Sequence, residues 1–214
     1  MHFGKLKTQI LSVSTRVAAV LLCFQAWVFG QGSFANMDFE HPILPLSRGP
    51  VPASSAFPNW TAYSAVAVFF DDVSLGGAAI SLHDNNKYFP IPQGQYAVLL
   101  QASFPGGTVV PALGQVGTVP VTARSVRFSG DGIFTLTFGG QPVPLFTLGS
   151  ASGYNTFGGD IAAFGGQSGE LLFRGRGSLD DIIFSAEVIP EPSVIGLFTF
   201  SASFLGWRFR RKRT

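Results

Sequence analysis

Chemistry in a protein needs nucleophiles, proton carriers or metal ligands, and this 214-residue chain is sparing with all three. Its one cysteine, Cys23, lies inside an apolar run. Beyond the first few residues the histidines are His41, ahead of Pro42, and His83, which opens a His-Asp-Asn-Asn stretch that reads as a polar turn. No His-x-x-x-His or Glu-x-x-His spacing supports a zinc site, and there is no Gly-x-Ser-x-Gly elbow. None of the Gly-Gly pairs opens a helix after a strand, so a phosphate cradle has no support. Asp71, Asp72, Asp131 and Asp160 could in principle furnish a glycosidase carboxylate pair. That reaction depends on the distance between the two groups, which sequence spacing does not set. The residue types therefore predict a protein that is not an enzyme.

The elements that carry these residues divide by charge. Charged residues are only 12% of the chain, about half the usual share, and Phe occurs 22 times. The formal charge of +2 is unevenly spread: Lys5, Lys7 and Arg16 lie at one end, and Arg208, Arg210, Arg211, Lys212 and Arg213 at the other. Residues 36–189 hold six basic and eleven acidic residues, a net charge of −5. A nucleic-acid-binding domain concentrates its basic residues on the folded body, so no nucleic-acid partner is expected.

The first 35 residues predict a signal peptide. A positive segment precedes the apolar Val17–Phe29, and two small-x-small triplets follow, Gly30-Gln31-Gly32 and Ser33-Phe34-Ala35. Cleavage after Ala35 is the expected site, with cleavage after Gly32 as the alternative. Removal of the signal would take Cys23 with it, which excludes disulfides and thiolate chemistry from the mature domain.

The last 25 residues, 190–214, read Pro190-Glu191-Pro192, then fifteen uncharged residues from Ser193 to Trp207, then the basic cluster from Arg208 to Arg213. As a helix the uncharged run extends about 22 Å, short against a hydrocarbon core of about 30 Å. Snorkelling arginines would let it act as a short transmembrane helix with its basic end in the cytoplasm. In this order and at this end of the chain, the three parts resemble the PEP-CTERM sorting signal. The resemblance implies that Pro190, Glu191 and Pro192 form the sorting motif. It makes Arg208, Arg210, Arg211, Lys212 and Arg213 the basic stop. It also implies that an exosortase-type membrane transpeptidase acts on the chain after the secretion translocon has exported it. The setting implied is a Gram-negative bacterium, with transient inner-membrane anchoring before delivery to the cell surface or an exopolysaccharide-rich matrix.

Between the two ends, short alternating runs are divided by Gly and Pro. In Gly132–Phe138, Phe134, Leu136 and Phe138 fall on one face and Thr135 and Thr137 on the other. Similar runs at Val66–Phe70, Ala78–Leu82, Tyr96–Ala102, Arg124–Phe128, Pro144–Thr147, Asp160–Phe164, Glu170–Arg174 and Asp180–Ser185 predict strands. The fold class expected for 36–189 is all-β, an antiparallel, jelly-roll-like β-sandwich. Its opening, Asp38-Phe39-Glu40, its Pro58-Asn59-Trp60 and its closing Leu179-Asp180-Asp181 resemble galactose-binding-type jelly rolls, a group rich in carbohydrate-binding modules. That likeness implies neighbouring first and last strands, and a structural calcium ion held by Glu40 and Asp180, with Asp38 and Asp181 as further candidates. Trp60, Tyr63, Tyr88, Tyr96 and Tyr154 have rings suited to sugars, but large aromatics are more often core residues. The expected function is a non-enzymatic, exported surface or matrix protein associated with exopolysaccharide. The alternatives are a carbohydrate-binding module with a defined glycan and, less favoured, a glycoside-active enzyme.

Overall fold

The computed structural model describes residues 33–63, 66–74, 76–84, 91–103 and 109–189. The expected signal helix, the sorting motif and the transmembrane helix lie outside these residues. Among the described residues no helix is long and apolar enough to cross a membrane.

The expectation of an all-β domain holds. Among the described residues eleven strands form one hydrogen-bonded sheet: β1 (Gly49–Pro50), β2 (Thr61–Tyr63), β3 (Ala67–Phe70), β4 (Ala79–His83), β5 (Ala97–Gln101), β6 (Ala112–Thr118), β7 (Ser125–Phe138), β8 (Gln141–Val143), β9 (Leu145–Ala151), β10 (Tyr154–Asp160) and β11 (Ser168–Ser185). The main path runs β1-β3-β4-β5-β11-β7-β10-β9, with β6 joining β2 to β11 and β8 beside β7. Every pairing is antiparallel except β3 with β4. One helical turn, α1 (Ala53–Ala56), interrupts the Pro-rich opening loop.

The last strand organises the sheet. Its first part pairs with β6 over Ser168–Arg174, its middle with β5 over Gly177–Leu179, and nearly its whole length with β7. A flat strand of 18 residues could not reach all three and still bury one face. Glycines and a register shift between Asp180 and Ile183 let it coil. In the expected pattern these were two strands, Glu170–Arg174 and Asp180–Ser185. The Gly- and charge-rich stretch between them masked their continuity. Likewise Arg124–Phe128 and Gly132–Phe138 are one strand, β7. Its core-facing positions, Val126, Phe128, Phe134, Leu136 and Phe138, keep a single parity across Gly130 and Gly132. One boundary needs correction. Asp160–Phe164 is the end of β10 followed by a 3-10 turn at Ala162–Phe164, in which Asp160 Oδ1 accepts the Ala162 N–H at 2.8 Å. β6 shows no clean alternation in the sequence and was not expected.

A chain of aromatic rings runs through a mainly aliphatic core. Phe39, Trp60, Phe173, Phe128 and Phe157 make successive ring contacts with centroids 5.1–6.4 Å apart. Trp60 is buried rather than displayed, and its indole N–H donates to the Asn36 carbonyl at 2.9 Å. Asn36 adopts a left-handed conformation, and its side chain accepts from His41 N and donates to the Pro58 carbonyl. The opening residues are thereby tied to the loop that carries Trp60. Replacing Trp60 by Phe keeps much of the packing but removes the indole donor, leaving the Asn36 carbonyl only its 3.4 Å bond from Phe39 N. The expected loss is about 0.5–1.5 kcal/mol, measured by urea unfolding.

Candidate functional site

Glu40 and Asp180, remote in sequence, meet around the turn Gln93–Tyr96 that leads into β5. Glu40 Oε1 accepts two backbone N–H groups, from Gln95 at 2.8 Å and Tyr96 at 3.0 Å. Asp180 Oδ2 accepts from Gln93 N at 3.1 Å, and its Oδ1 from Asp181 N at 2.7 Å. The turn can approach because Gly94 has φ +69° and no side chain; a Cβ there would collide with the Glu40 carboxylate. The Ile182 N–H donates to the Met37 carbonyl at 3.0 Å, bringing the opening segment against β11.

Asp38 and Asp181 join the cluster. Asp38 Oδ1 accepts from Glu40 N, and the Gln93 amide, turned to donate, reaches both Asp181 oxygens at 3.2 Å. Asp181 sits in the left-handed region at φ +50°, where β11 is irregular. Among the described residues no salt bridge reaches any of these four acids. The electrostatic consequence falls on Asp180, which is fully buried. Burial, reinforced by the charges of Asp181 and Glu40, pushes its carboxyl from 3.8 up to about 7, against the pull of its two backbone N–H bonds. Burial and the Asp38 charge also raise Asp181. The site is a loop clamp in which one acid is readily protonated.

The donor chemistry suits a hard cation, since it consists of carboxylate and amide oxygens only. Even so, among the described residues no three His, Cys, Asp or Glu side chains converge as a metal ion requires. The oxygens of Glu40 and Asp180 used above face N–H groups. The resemblance pointed to Glu40 and Asp180 as calcium ligands, and the structure brings the two acids to the same turn. The resemblance gave no sign of Gln93 and Gly94, which supply the turn; the positive φ of Gly94 is a tertiary feature of a Gln-Gly-Gln sequence found in ordinary loops.

A second cluster lies at the far end of β4. His83 is not in an open turn but is the buried last residue of that strand. Its Nδ1 lies 3.8 Å from Asp71 Oδ1, and Arg48 pairs with Asp72 at 3.7 Å. Burial holds His83 below its ordinary value despite the opposing Asp71 charge, so the imidazole is neutral near pH 7. Ser81 shares its face two residues earlier, a spacing of about 7 Å along a strand.

The remaining aromatics are dispersed. Tyr63 is partly exposed, and its hydroxyl donates to Glu170 Oε1 at 2.5 Å. Tyr96 and Tyr154 are half-buried, and Tyr88 lies outside the described residues. Pro190, Glu191, Pro192, Arg208, Arg210, Arg211, Lys212 and Arg213 also lie outside them.

No family model matches the sequence, and no curated protein matches it significantly. Among solved structures, the chain aligns with an apo-form cyclase from Fischerella sp., at 11% identity and a TM-score of 0.42, over 71% of this chain and 93% of that one. It aligns equally with a Stig cyclase, Fisc, from Fischerella sp. TAU in complex with a pyrrolidinylidene indole, at 13% identity and a TM-score of 0.42, over 71% and 94%. These neighbours are enzymes, not carbohydrate-binding modules. They overturn the expectation of a non-enzymatic matrix protein, and neither it nor the glycan-module alternative is retained. At this level the likeness assigns no cyclase activity to the chain.

Proposed function

We propose that this chain is an exported protein delivered by a PEP-CTERM-type tail. An exosortase-type membrane transpeptidase cuts it near Pro190–Pro192 after the translocon has exported it, releasing the β domain from transient inner-membrane anchoring to the cell surface of a Gram-negative bacterium. The observation that carries the reading is the three-part order of residues 190–214: Pro-Glu-Pro, short uncharged run, basic end. The end of the described domain supports it. The described domain packs through its final residues: the Glu187 carbonyl accepts the Ser125 hydroxyl at 2.7 Å, Glu187 pairs with Arg127 at 2.8 Å, and the Ile189 side chain covers Gly158. The triplet follows Ile189 directly, where proline disfavours further regular structure. A cut there would spare every described strand.

The finer architecture of the body is a jelly-roll-like sandwich in this reading, supported by the way β11 coils to pair with β5, β6 and β7. Calcium at Glu40 and Asp180 belongs to the same reading. It is supported by the nearness of Glu40 to Asp180, whose repulsion a divalent cation would relieve.

Mass spectrometry of the protein recovered from its own cells tests the sorting reading. The expected result is a C-terminus within or just before Pro190–Pro192. Recovery of the mature protein with its Arg-rich end intact would refute it.

A further inference from the structure

The residues just after the export signal are built into the fold. β2 covers the edge of β6 only at Ala112–Gly114. Ser33–Ala35 takes over along the next stretch. Ser33 N donates to the Thr118 carbonyl at 3.4 Å, and Thr118 N donates to the Ser33 hydroxyl at 2.7 Å. Gln115, itself only 4% exposed, grips Ala35 on both sides: its Oε1 accepts the Ala35 N–H at 2.7 Å, and its Nε2 donates to the Ala35 carbonyl at 2.8 Å. Between them, Phe34 is 5% exposed. Its ring lies over Gly117, where a Cβ would come within 2.7 Å of it, and 5.3 Å from the Phe184 ring near the end of β11.

A cut after Ala35 would remove all of this. It would strip a buried phenylalanine from between β6 and β11 and leave both hydrogen-bonding groups of a buried glutamine side chain without their partners. Losing a buried Phe and orphaning buried polar atoms are among the most destabilising changes a domain meets. A cut after Gly32 removes none of it. Gly30 and Gly32 supply the small residues that the export peptidase requires at its third and first positions before the cut.

We propose that the export signal is removed by hydrolysis of the Gly32–Ser33 bond, so that Ser33–Ala35 remains as the first structural segment of the mature domain. The inference rests on the export reading above. In the reaction the C–N bond breaks, water supplies the hydroxyl of the new Gly32 carboxyl group, and the nitrogen leaves as the Ser33 amine. That amine can still donate to Thr118.

The test is the N-terminal peptide of the full-length chain after export by a Gram-negative host, with two variants alongside. The expected start is Ser33. Gly32→Glu should leave precursor uncut, whereas Ala35→Glu should be processed like the natural chain, because only the first places a bulky charge at the scissile position. A mature protein starting at Asn36, with cleavage blocked by Ala35→Glu and not by Gly32→Glu, would overturn the inference while leaving export intact. Retention of Met1 on all of the natural protein would instead overturn the export reading. Phe34→Ala gives a readout independent of processing. A clear fall in melting temperature is expected of the exported domain, and an unchanged value would contradict the structural role given to the segment.

Discussion

Replacing Gly177 by Ala is expected to cost roughly 4 kcal/mol, combining backbone strain of about 1–3 kcal/mol with overpacking of similar size. Gly177 pairs with Gly132 where β11 and β7 coil together. Its φ is +122°, a region that L side chains rarely adopt. A Cβ at this position would collide with the carbonyl oxygen of Asp131 and lie 2.7 Å from the Gly132 Cα. These are backbone atoms, and they cannot swing aside as a side-chain tip could. The same crease includes Gly130, Gly132 and Gly175, each facing a backbone carbonyl of the partner strand. It brings the two longest strands close enough to curl. Gly149 in β9 is the control: nothing lies within 4 Å of a Cβ there, so Gly149→Ala should stay within about 0.5 kcal/mol of the natural protein. Urea unfolding of both variants measures the difference. A Gly177→Ala protein within about 1 kcal/mol of the natural one would show that the crease is not required, since an average point substitution costs about that much.

The second large effect is a stability that declines as pH rises. Asp180 has a folded value of about 7 against 3.8 for the free group. Below 3.8 both folded and unfolded chains hold the proton, and the group is neutral to stability. Between 3.8 and about 7 the folded chain retains a proton that the unfolded chain has released. Stability from this group therefore falls through that window and levels off above it. Full ionisation costs about 4 kcal/mol, at 1.36 kcal/mol for each pH unit of displacement. The raised value of Asp181 acts with the same sign. His83, held below its ordinary value, acts oppositely, removing stability as pH drops below 6.5. Asp180→Asn separates these contributions. It loses one acceptor, a deficit that does not vary with pH. In calcium-free buffer its stability relative to the natural protein should climb by up to about 4 kcal/mol from pH 4 to pH 8. A constant difference would refute the assignment. If calcium is the cation for Glu40 and Asp180, adding it at pH 8 should raise the melting temperature of the natural protein and not of Asp180→Asn. An equal response from both would remove calcium from this pair.

The two predictions concern features of very different legibility. Glu40 and Asp180 were paired by the jelly-roll resemblance, which implies neighbouring first and last strands; in the fold β1 pairs with β3, and it is the segment ahead of β1 that lies against β11. The turn that completes their site was not found. Gln93, Gly94 and Gln95 have ordinary loop composition, and their backbone N–H groups are invisible to any reading of side-chain types. The glycine crease was hidden for a related reason. Gly in a strand looks like punctuation, so β7 and β11 each read as two short strands. Only their pairing reveals that Gly130, Gly132, Gly175 and Gly177 face one another's carbonyls. His83 was misplaced because Asp-Asn-Asn after it signals a turn, while the strand before it carries it inside.

What the sequence determined by itself was whatever depends on local order. Alternation of apolar residues makes the domain β. The charge asymmetry and the apolar ends mark its two terminal segments, and the order of residues 190–214 suggests its sorting. Each of these is a property of neighbours along the chain. Only the tertiary structure decided what depends on distance between remote residues. It set which acid is buried deeply enough to hold a proton near neutrality and which strands continue through glycine. It also placed Ser33–Ala35 with the domain rather than with the expected signal, because burial of Phe34 and the grip of Gln115 arise only when β6 and β11 are already in place.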